Sequence, residues 1–312
     1  MESRHRVRRH RDPAELIALL EPEEPYSTFL VSNLLERGST RETRTWVVER
    51  DETIVAVLVI ARSCPLRWYS APFLLEADEN VARALVGIID RSSARSVTGP
   101  ASHVNLLLPH LSRKVSAWEV PFLHQPAPVA NPRFEPGPTT RAAGPEDLDD
   151  LVALYAGFEQ ISFVSTLRWL RGLLAPLVDE GRVIVAAEDG RLAGAIYLDR
   201  LSHCYAYWTG LTIDPAFRGR RLSWGLWGRA LEVTAALGVG YMIIVDPTNP
   251  MRMKEREAEA MARERWVWSG LNEPHRYPGE RTIRRWWIRL NGPPTMPRGS
   301  REPKRDDSEW LG

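Results

Sequence analysis

Lysine is almost missing from this 312-residue chain. It occurs only at positions 114, 254 and 304, although Lys and Arg together number 41. The positive charge therefore sits almost wholly on arginine, whose rigid, permanently charged fork suits carboxylates and phosphates. Forty acidic residues reduce the formal net charge to +1, a poor match to a chain dedicated to binding nucleic acid. Cysteine is as sparse. Cys64 and Cys204 are too few for a disulfide framework and lack metal-ligand spacing, which predicts a reducing, cytoplasmic setting and no metal site. Long apolar runs are also missing. The longest, near Val55 to Ala61, is of strand length, and the charged opening Met1 to Arg11 has no apolar run behind it, so neither a membrane span nor a signal peptide is expected. No Gly-x-Ser-x-Gly, His-Glu-x-x-His or Gly-x-x-x-x-Gly-Lys-Ser/Thr pattern occurs, which removes the common hydrolase, zinc-peptidase and P-loop readings.

Hydrophobic content of 44% is ample for two cores of about 130 to 150 residues each. Proline and glycine mark the divisions. Gln125 to Pro138 holds prolines at 126, 128, 132, 136 and 138 and reads as a linker at 126–138. Residues 291–312 mix Gly, Pro and charge without apolar periodicity, and read as a disordered tail. The expected domains are thus 1–125 and 139–290.

Residues 139–290 alternate in type. Thr139 to Ala143 reads as a short strand, and Gly144-Pro-Glu-Asp opens a helix with proline and acids where the helix dipole favours them. Leu148, Leu151, Val152 and Tyr155 form its apolar face, and a second helix runs through Leu167, Leu170, Leu173 and Leu174. Strands Arg182 to Glu188 and Arg191 to Leu198 flank the hairpin turn Asp189-Gly190. A strand His203 to Ile213, a helix Ser223 to Leu237 and a buried strand Tyr241 to Val245 follow. The helix stripe is Leu222, Leu226, Ala230, Val233 and Leu237. Residues 1–125 repeat the plan more faintly: a helical stretch Leu16 to Leu35, a hairpin Thr45 to Ile60, a strand Trp68 to Leu74, a helix Val81 to Ile89 and a strand Ala94 to Thr98.

Between the strand ending at Ile213 and the helix lies Leu211-Thr-Ile-Asp-Pro-Ala-Phe-Arg-Gly-Arg-Arg-Leu-Ser-Trp-Gly-Leu226. Unpaired N–H groups at a helix start, with arginines beside them, form an anion site. This run resembles the acetyl-CoA pyrophosphate loop of the GCN5-related N-acetyltransferases (GNAT). Leu211, Ile213, Pro215, Arg218 and Gly219 match the family pattern; Arg221 and Ser223 stand where later glycines are usual, and a guanidinium at 221 must swing out, pair with the anion or obstruct it. The order of elements is also that of the family, so the resemblance implies an α/β mixed-sheet fold with two acetyltransferase-like domains in tandem. The first copy is degenerate, because its equivalent turn, Leu74 to Asn80, is acidic and glycine-free.

The resemblance implies acetyl-CoA as acyl donor and a small-molecule amine as acceptor. Leu211, Ile213, Arg218, Gly219, Arg220, Arg221, Leu222, Ser223 and Asn249 would bind the donor, with the backbone of Leu211 and Ile213 reaching the carbonyl. For proton transfer, alternation places His203, Tyr205 and Tyr207 on one strand face, and Glu159 lies where family members often line the acceptor site. The family's closing helix is matched by Ala262-x-x-x-Trp266-x-x-x-Gly270-Leu271, about ten residues late after the charged insertion Met251 to Met261; Thr282 to Leu290 would be the last strand. Trp266 replaces a tyrosine that commonly protonates the thiolate. Trp268, Trp286 and Trp287 add an aromatic body. Two other readings stay open: an aminoacyl-tRNA-dependent transferase, with the arginines on a tRNA backbone, and a non-catalytic binding module.

Overall fold

The structure, a computed structural model, describes residues 5–38, 42–64, 67–127, 139–158, 164–244 and 264–272. The expected linker, the stretch Met251 to Met261, the strand Thr282 to Leu290 and the tail lie outside those residues, except that the linker's first two residues are described.

The first half runs β1 (His5–His10), α1 (Pro13–Leu20), α2 (Thr28–Arg37), β2 (Thr43–Arg50), β3 (Thr53–Cys64), β4 (Arg67–Leu74), α3 (Glu79–Arg91), β5 (Ala94–Pro100), α4 (Ala101–Leu107) and β6 (Lys114–Gln125). The second runs β7 (Thr140–Ala142), α5 (Leu148–Phe158), α6 (Val164–Asp179), β8 (Val183–Glu188), β9 (Arg191–Leu201), β10 (Tyr205–Ile213), α7 (Leu222–Leu237), β11 (Gly240–Ile244) and β12 (Glu264–Asn272). The expected helical stretch Leu16 to Leu35 is two helices, because Pro22 and Pro25 interrupt it and Glu21–Glu23 forms a 3-10 turn. β1, α4 and β6 had no sequence forecast. β1 is an edge strand of sequence HRVRRH, and charge at an edge discourages further pairing.

All twelve strands join one sheet in the order β1-β2-β3-β4-β5-β12-β6-β11-β10-β9-β8-β7. The two halves repeat one set of pairings. β1 to β4 and β7 to β10 are successive antiparallel neighbours, and β4·β5 and β10·β11 are parallel. Beyond that point the halves exchange a strand. β12 pairs with β5, β6 pairs with β11, and β12 and β6 pair antiparallel at the centre, from Glu264↔Phe122 to Asn272↔Lys114.

β12 corrects the helix expected across Ala262 to Leu271. Trp266 and its neighbour Val267 are 1% and 0% exposed, which a strand covered on both faces achieves by pointing successive side chains to opposite sides. Such a strand shows no clean period, so its aromatic and β-branched residues are the better sign. The Trp266 indole N–H is satisfied by Thr98 Oγ1 at 2.7 Å.

Helices cover both faces. α3 and α4 close one side of the first half, α1 and α2 the other; α7 packs on Ala206, Trp208, Ile196 and Leu198, while α5 and α6 cover Val183, Val185 and Ala195. On α7 the forecast stripe holds at Leu222, Leu226 and Ala230, but Leu237 at its end is exposed. The halves are joined by an aromatic core of Phe29, Phe122, Tyr207, Met242 and Trp266, with Phe29 ring centroids 4.8 Å from Tyr207 and 5.0 Å from Trp266.

Candidate active site

β10 and β11 separate early. They are paired at Tyr205↔Gly240, Ala206↔Tyr241 and Tyr207↔Met242 only, although β10 runs on to Ile213. Among the described residues its later part pairs with β9 alone, through an irregularity between Thr209 and Thr212. Gly210 lies in that bulge at φ +67. A Cβ there would strike the Tyr197 ring edge and stand 3.2 Å from Tyr155 Cε1. The result is a parting of β10 from β11 beyond which the β10 backbone has no ladder partner on that side among the described residues. Sequence reasoning passed over Gly210, yet an isolated glycine inside a strand pattern is itself a bulge signal.

The chain then enters the arginine loop. Asp214 accepts a hydrogen bond from the Ala216 N–H at 2.8 Å, and Gly219 turns at φ +81 with nothing within 4 Å of where a side chain would begin. Arg221 is the N-cap of α7 in the left-handed region, φ 59 and ψ 18, and no side chain among the described residues caps the helix. Arg221 thus holds a backbone conformation that glycine adopts most readily, and its guanidinium lies over the Trp224 ring, 5.6 Å from the centroid. Arg220 pairs with Glu188 at 2.6 Å and lies over Phe217. Arg218 is exposed, with no ion pair among the described residues. Leu222 is buried in the α7 core, Ser223 is half-buried, and Leu211 and Ile213 point side chains toward that core.

The same place in the first half is filled from within. β4 and β5 also part after three pairs, at Ser70↔Val97. There the start of α3 is capped by Asp78, whose carboxylate accepts from the Asn80 and Val81 N–H groups at 2.6 and 3.4 Å. Those bonds hold the Asp78 carboxyl below its usual range. Arg50 pairs with both Glu76 and Asp78. His103 of α4 packs edge-on against Phe73 at 4.5 Å, and its Nδ1 accepts from the Leu74 N–H at 3.5 Å. Burial lowers the His103 pKa to about 4, so it is a neutral acceptor near pH 7.

A cleft of about 980 Å³ lies between the halves, walled by Glu36 and Arg62 on one side and by Trp169, Tyr197, Asp199 and Arg200 on the other. Glu36 of α2 accepts from Arg182 and Arg200, each at 3.1 Å, tying α2 to β9. Burial opposes the Arg200 charge, but Asp199, Tyr69 and Glu36 outweigh it and raise its pKa. Tyr197 connects cleft and gap, since it lines the first and its ring abuts Gly210.

The sequence-predicted proton-transfer residues are not gathered into one relay. His203 precedes β10, which starts at Tyr205 and not at the expected His203; it sits exposed in the turn and pairs with Glu21. Tyr207 is buried in the aromatic core, where burial pushes its phenol up despite a hydrogen bond with Thr209. Tyr205 is buried, and its phenol is likewise raised. Glu159 and Asn249 lie outside the described residues. Trp266 is held in the central sheet by Thr98. Among the described residues no group of three His, Cys, Asp or Glu is arranged to hold a metal ion, and no helix is long and apolar enough to cross a membrane.

The family described as Acetyltransferase (GNAT) matches residues 148–254, from the start of α5 to beyond β11. Residues 148–254 are a GNAT domain. Solved structures extend the likeness over both halves. A GCN5-related N-acetyltransferase from Sphaerobacter thermophilus is 15% identical over 87% of this chain and 97% of its own, with a TM-score of 0.59. A tandem GNAT protein from the clavulanic acid biosynthesis pathway is 14% identical over 88% of this chain and all (100%) of its own, at 0.53. A GNAT-family acetyltransferase from Colwellia psychrerythraea is 14% identical over 86% and 100%, at 0.52. At such identities the likeness is one of fold: two GNAT-like halves in tandem. No curated protein matches the chain.

Proposed function

We propose that the chain is an acyl-CoA-dependent N-acyltransferase that transfers an acetyl group to a small-molecule amine in its second half. One contrast carries the reading. Where the first half plugs its strand gap with His103 and caps its helix with Asp78, in the second half no described side chain fills the gap or caps the helix start beside Arg218. An uncapped helix start with glycine beside it fits a pyrophosphate. Arg218, Gly219, Arg221 and Ser223 would hold that group, and the edge of β10 beyond Tyr207, unpaired among the described residues, would align the acyl arm. The donor supplies an activated thioester; the chain's part is alignment and stabilisation of charge at the carbonyl.

The acceptor would enter by the cleft, whose volume is that of a small-molecule site. Its mixed charges suit an amine bearing further polar groups, and Tyr197 leads it to the bulge. Glu159, next after α5 in sequence, is our candidate for taking the ammonium proton. Calorimetric titration with acetyl-CoA tests the reading: saturable binding is expected, weakened about tenfold or more by Arg218→Glu. Arg218 is the cleaner probe, because reversal at Arg220 would also set a carboxylate against Glu188. Absence of binding to the folded protein would remove the reading. Salt-sensitive binding of total tRNA in its place would favour the aminoacyl-tRNA alternative.

A further inference from the structure

Most charges around the cleft between the halves are engaged with one another. Glu36 of α2 holds both Arg182 and Arg200, Arg182 also meets Glu180 at 2.9 Å, and Arg62 stands 3.7 Å from Glu42. Two lining groups of opposite sign are left unmatched, one on each wall. On the first-half wall, Arg37 has no ion pair among the described residues; its Nη1 donates to the Arg62 carbonyl at 2.7 Å, which sets two arginines side by side. On the second-half wall, the Asp199 carboxylate accepts no hydrogen bond among the described residues. Arg200 Nε approaches it only to 3.5 Å, and that buried N–H is itself without a hydrogen-bond partner. At such a distance the pair is a contact of charges and not a hydrogen bond. The Asp199 side chain is 20% exposed, and a carboxylate so far withdrawn from water ordinarily has donors on its oxygens. Asp199 follows Tyr197 by two residues on β9, so the two share a strand face, and both line the cleft.

We propose that the cleft binds an amino acid: an amine that also bears a carboxylate, with its ammonium held by Asp199 and its carboxylate by Arg37 beside Arg62. As a statement about the acceptor, this rests on the acyltransferase reading. The polarity of the walls sets the orientation. The amine faces the half that carries the GNAT domain, and the acid faces the first half. Charge then selects the class of compound. A plain amine would satisfy Asp199 and leave Arg37 without a counter-ion. A diamine would set its second cation against Arg37, and a simple carboxylate would leave Asp199 unanswered. With Arg62 offset by Glu42, one unmatched cation suits a single negative charge, hence a carboxylate and not a phosphate dianion. Charges withdrawn from water and left unpaired are costly, which turns each mismatch into discrimination. The first half, which has no anion loop, thereby supplies the residue that chooses the substrate.

The test measures binding by calorimetry on the full chain with no acyl donor present. The probes are glycine, β-alanine, γ-aminobutyrate and ε-aminocaproate, with hexylamine, hexanoate and hexamethylenediamine as controls. At least one amino acid should bind saturably and about tenfold or more tightly than any control. Arg37→Gln should weaken that amino acid about tenfold and leave hexylamine unchanged, whereas Asp199→Asn should weaken both. With acetyl-CoA supplied, thiol release should follow the same order of preference, and Arg37→Gln should raise the KM for the amine with kcat little changed. A control that binds as tightly as the best amino acid would overturn the proposal. So would an amino-acid affinity unmoved by Arg37→Gln, or a series in which nothing binds. Asp199→Asn takes a charge from beside buried Arg200, so its melting temperature is measured with its affinity. If it unfolds, Arg37→Gln decides alone, at a position with no ion pair to lose among the described residues. Amino-acid binding without acetyl-CoA binding would remove the transferase and keep the site; the converse would remove the site and keep the transferase.

Discussion

Arg221 holds a backbone conformation that arginine resists. At φ 59 an L-residue costs about 1–2 kcal/mol, of which glycine would recover part, since glycine's extra freedom when unfolded offsets about 0.5–1 kcal/mol. Arg221→Gly should leave thermal stability unchanged or raise it by about 1 kcal/mol, and should leave acetyl-CoA affinity equal or weaker by about tenfold at most. A large gain in affinity by calorimetry would show that the native guanidinium blocks the site. Gly210 is the reverse case. Ala there meets both a positive φ and the Tyr197 ring, so Gly210→Ala should cost about 2–4 kcal/mol in urea denaturation. Glu24 sets a pH dependence. Ser202 Oγ donates to it at 2.9 Å, but burial is the larger effect and raises its pKa above the reference of 4.5. A raised carboxyl stabilises the fold at pH below its unfolded pKa, and that contribution is lost as pH rises through the folded value. Glu24→Gln should therefore be the more stable protein at pH 7 to 8, with the advantage shrinking as pH falls toward 4; urea midpoints across that range measure it.

At the scale of elements, the clearest contrast is between the two helices that follow the strand gaps. Asp78→Ala removes the α3 cap and should lower stability by about 1 kcal/mol, with no effect on acetyl-CoA affinity. The sequence made this contrast legible, because an acidic turn at Leu74 to Asn80 and an arginine-glycine turn at Arg218 to Arg221 differ in charge and in backbone freedom. The hairpin at Asp189-Gly190 and the helix α7 were legible for the same local reasons, a positive-φ turn and a 3.6-residue stripe. β12 was not. A strand buried on both faces has no period to read, and its neighbours β5 and β6 lie far off in the chain. The site was half legible. Its anion loop is contiguous and carries a pattern, whereas Tyr197 and Gly210 meet only once β9 has paired with β10, and nothing in their spacing announces it.

For the whole molecule, the exchanged strands make the two halves depend on each other. Without residues 139–312, β5 and β6 lose β12 between them; without residues 1–127, β11 has no β6 and β12 has no partner on either side. Expressed separately, the segments 1–127 and 139–312 should each be insoluble or unfolded by circular dichroism, and co-expression should recover a soluble pair. Two stable soluble halves would show that the exchange is dispensable. The aromatic joint around Phe29, Tyr207 and Trp266 sets the scale: Trp266→Ala should cost about 3–5 kcal/mol, felt as one cooperative loss across both halves in a single thermal transition.

The central sheet also imposes an order in time. Thr98 on β5 and Trp266 on β12 are hydrogen-bonded across 168 residues of sequence. At translation speeds of about 5–20 residues per second, the ribosome needs roughly 8–30 s to deliver the second after the first. Throughout that interval β5 is an open strand edge on a nascent chain. Such edges invite mispairing and chaperone capture, so yield in the cell should depend on elongation rate and holdase supply far more steeply than the stability of the finished protein would suggest.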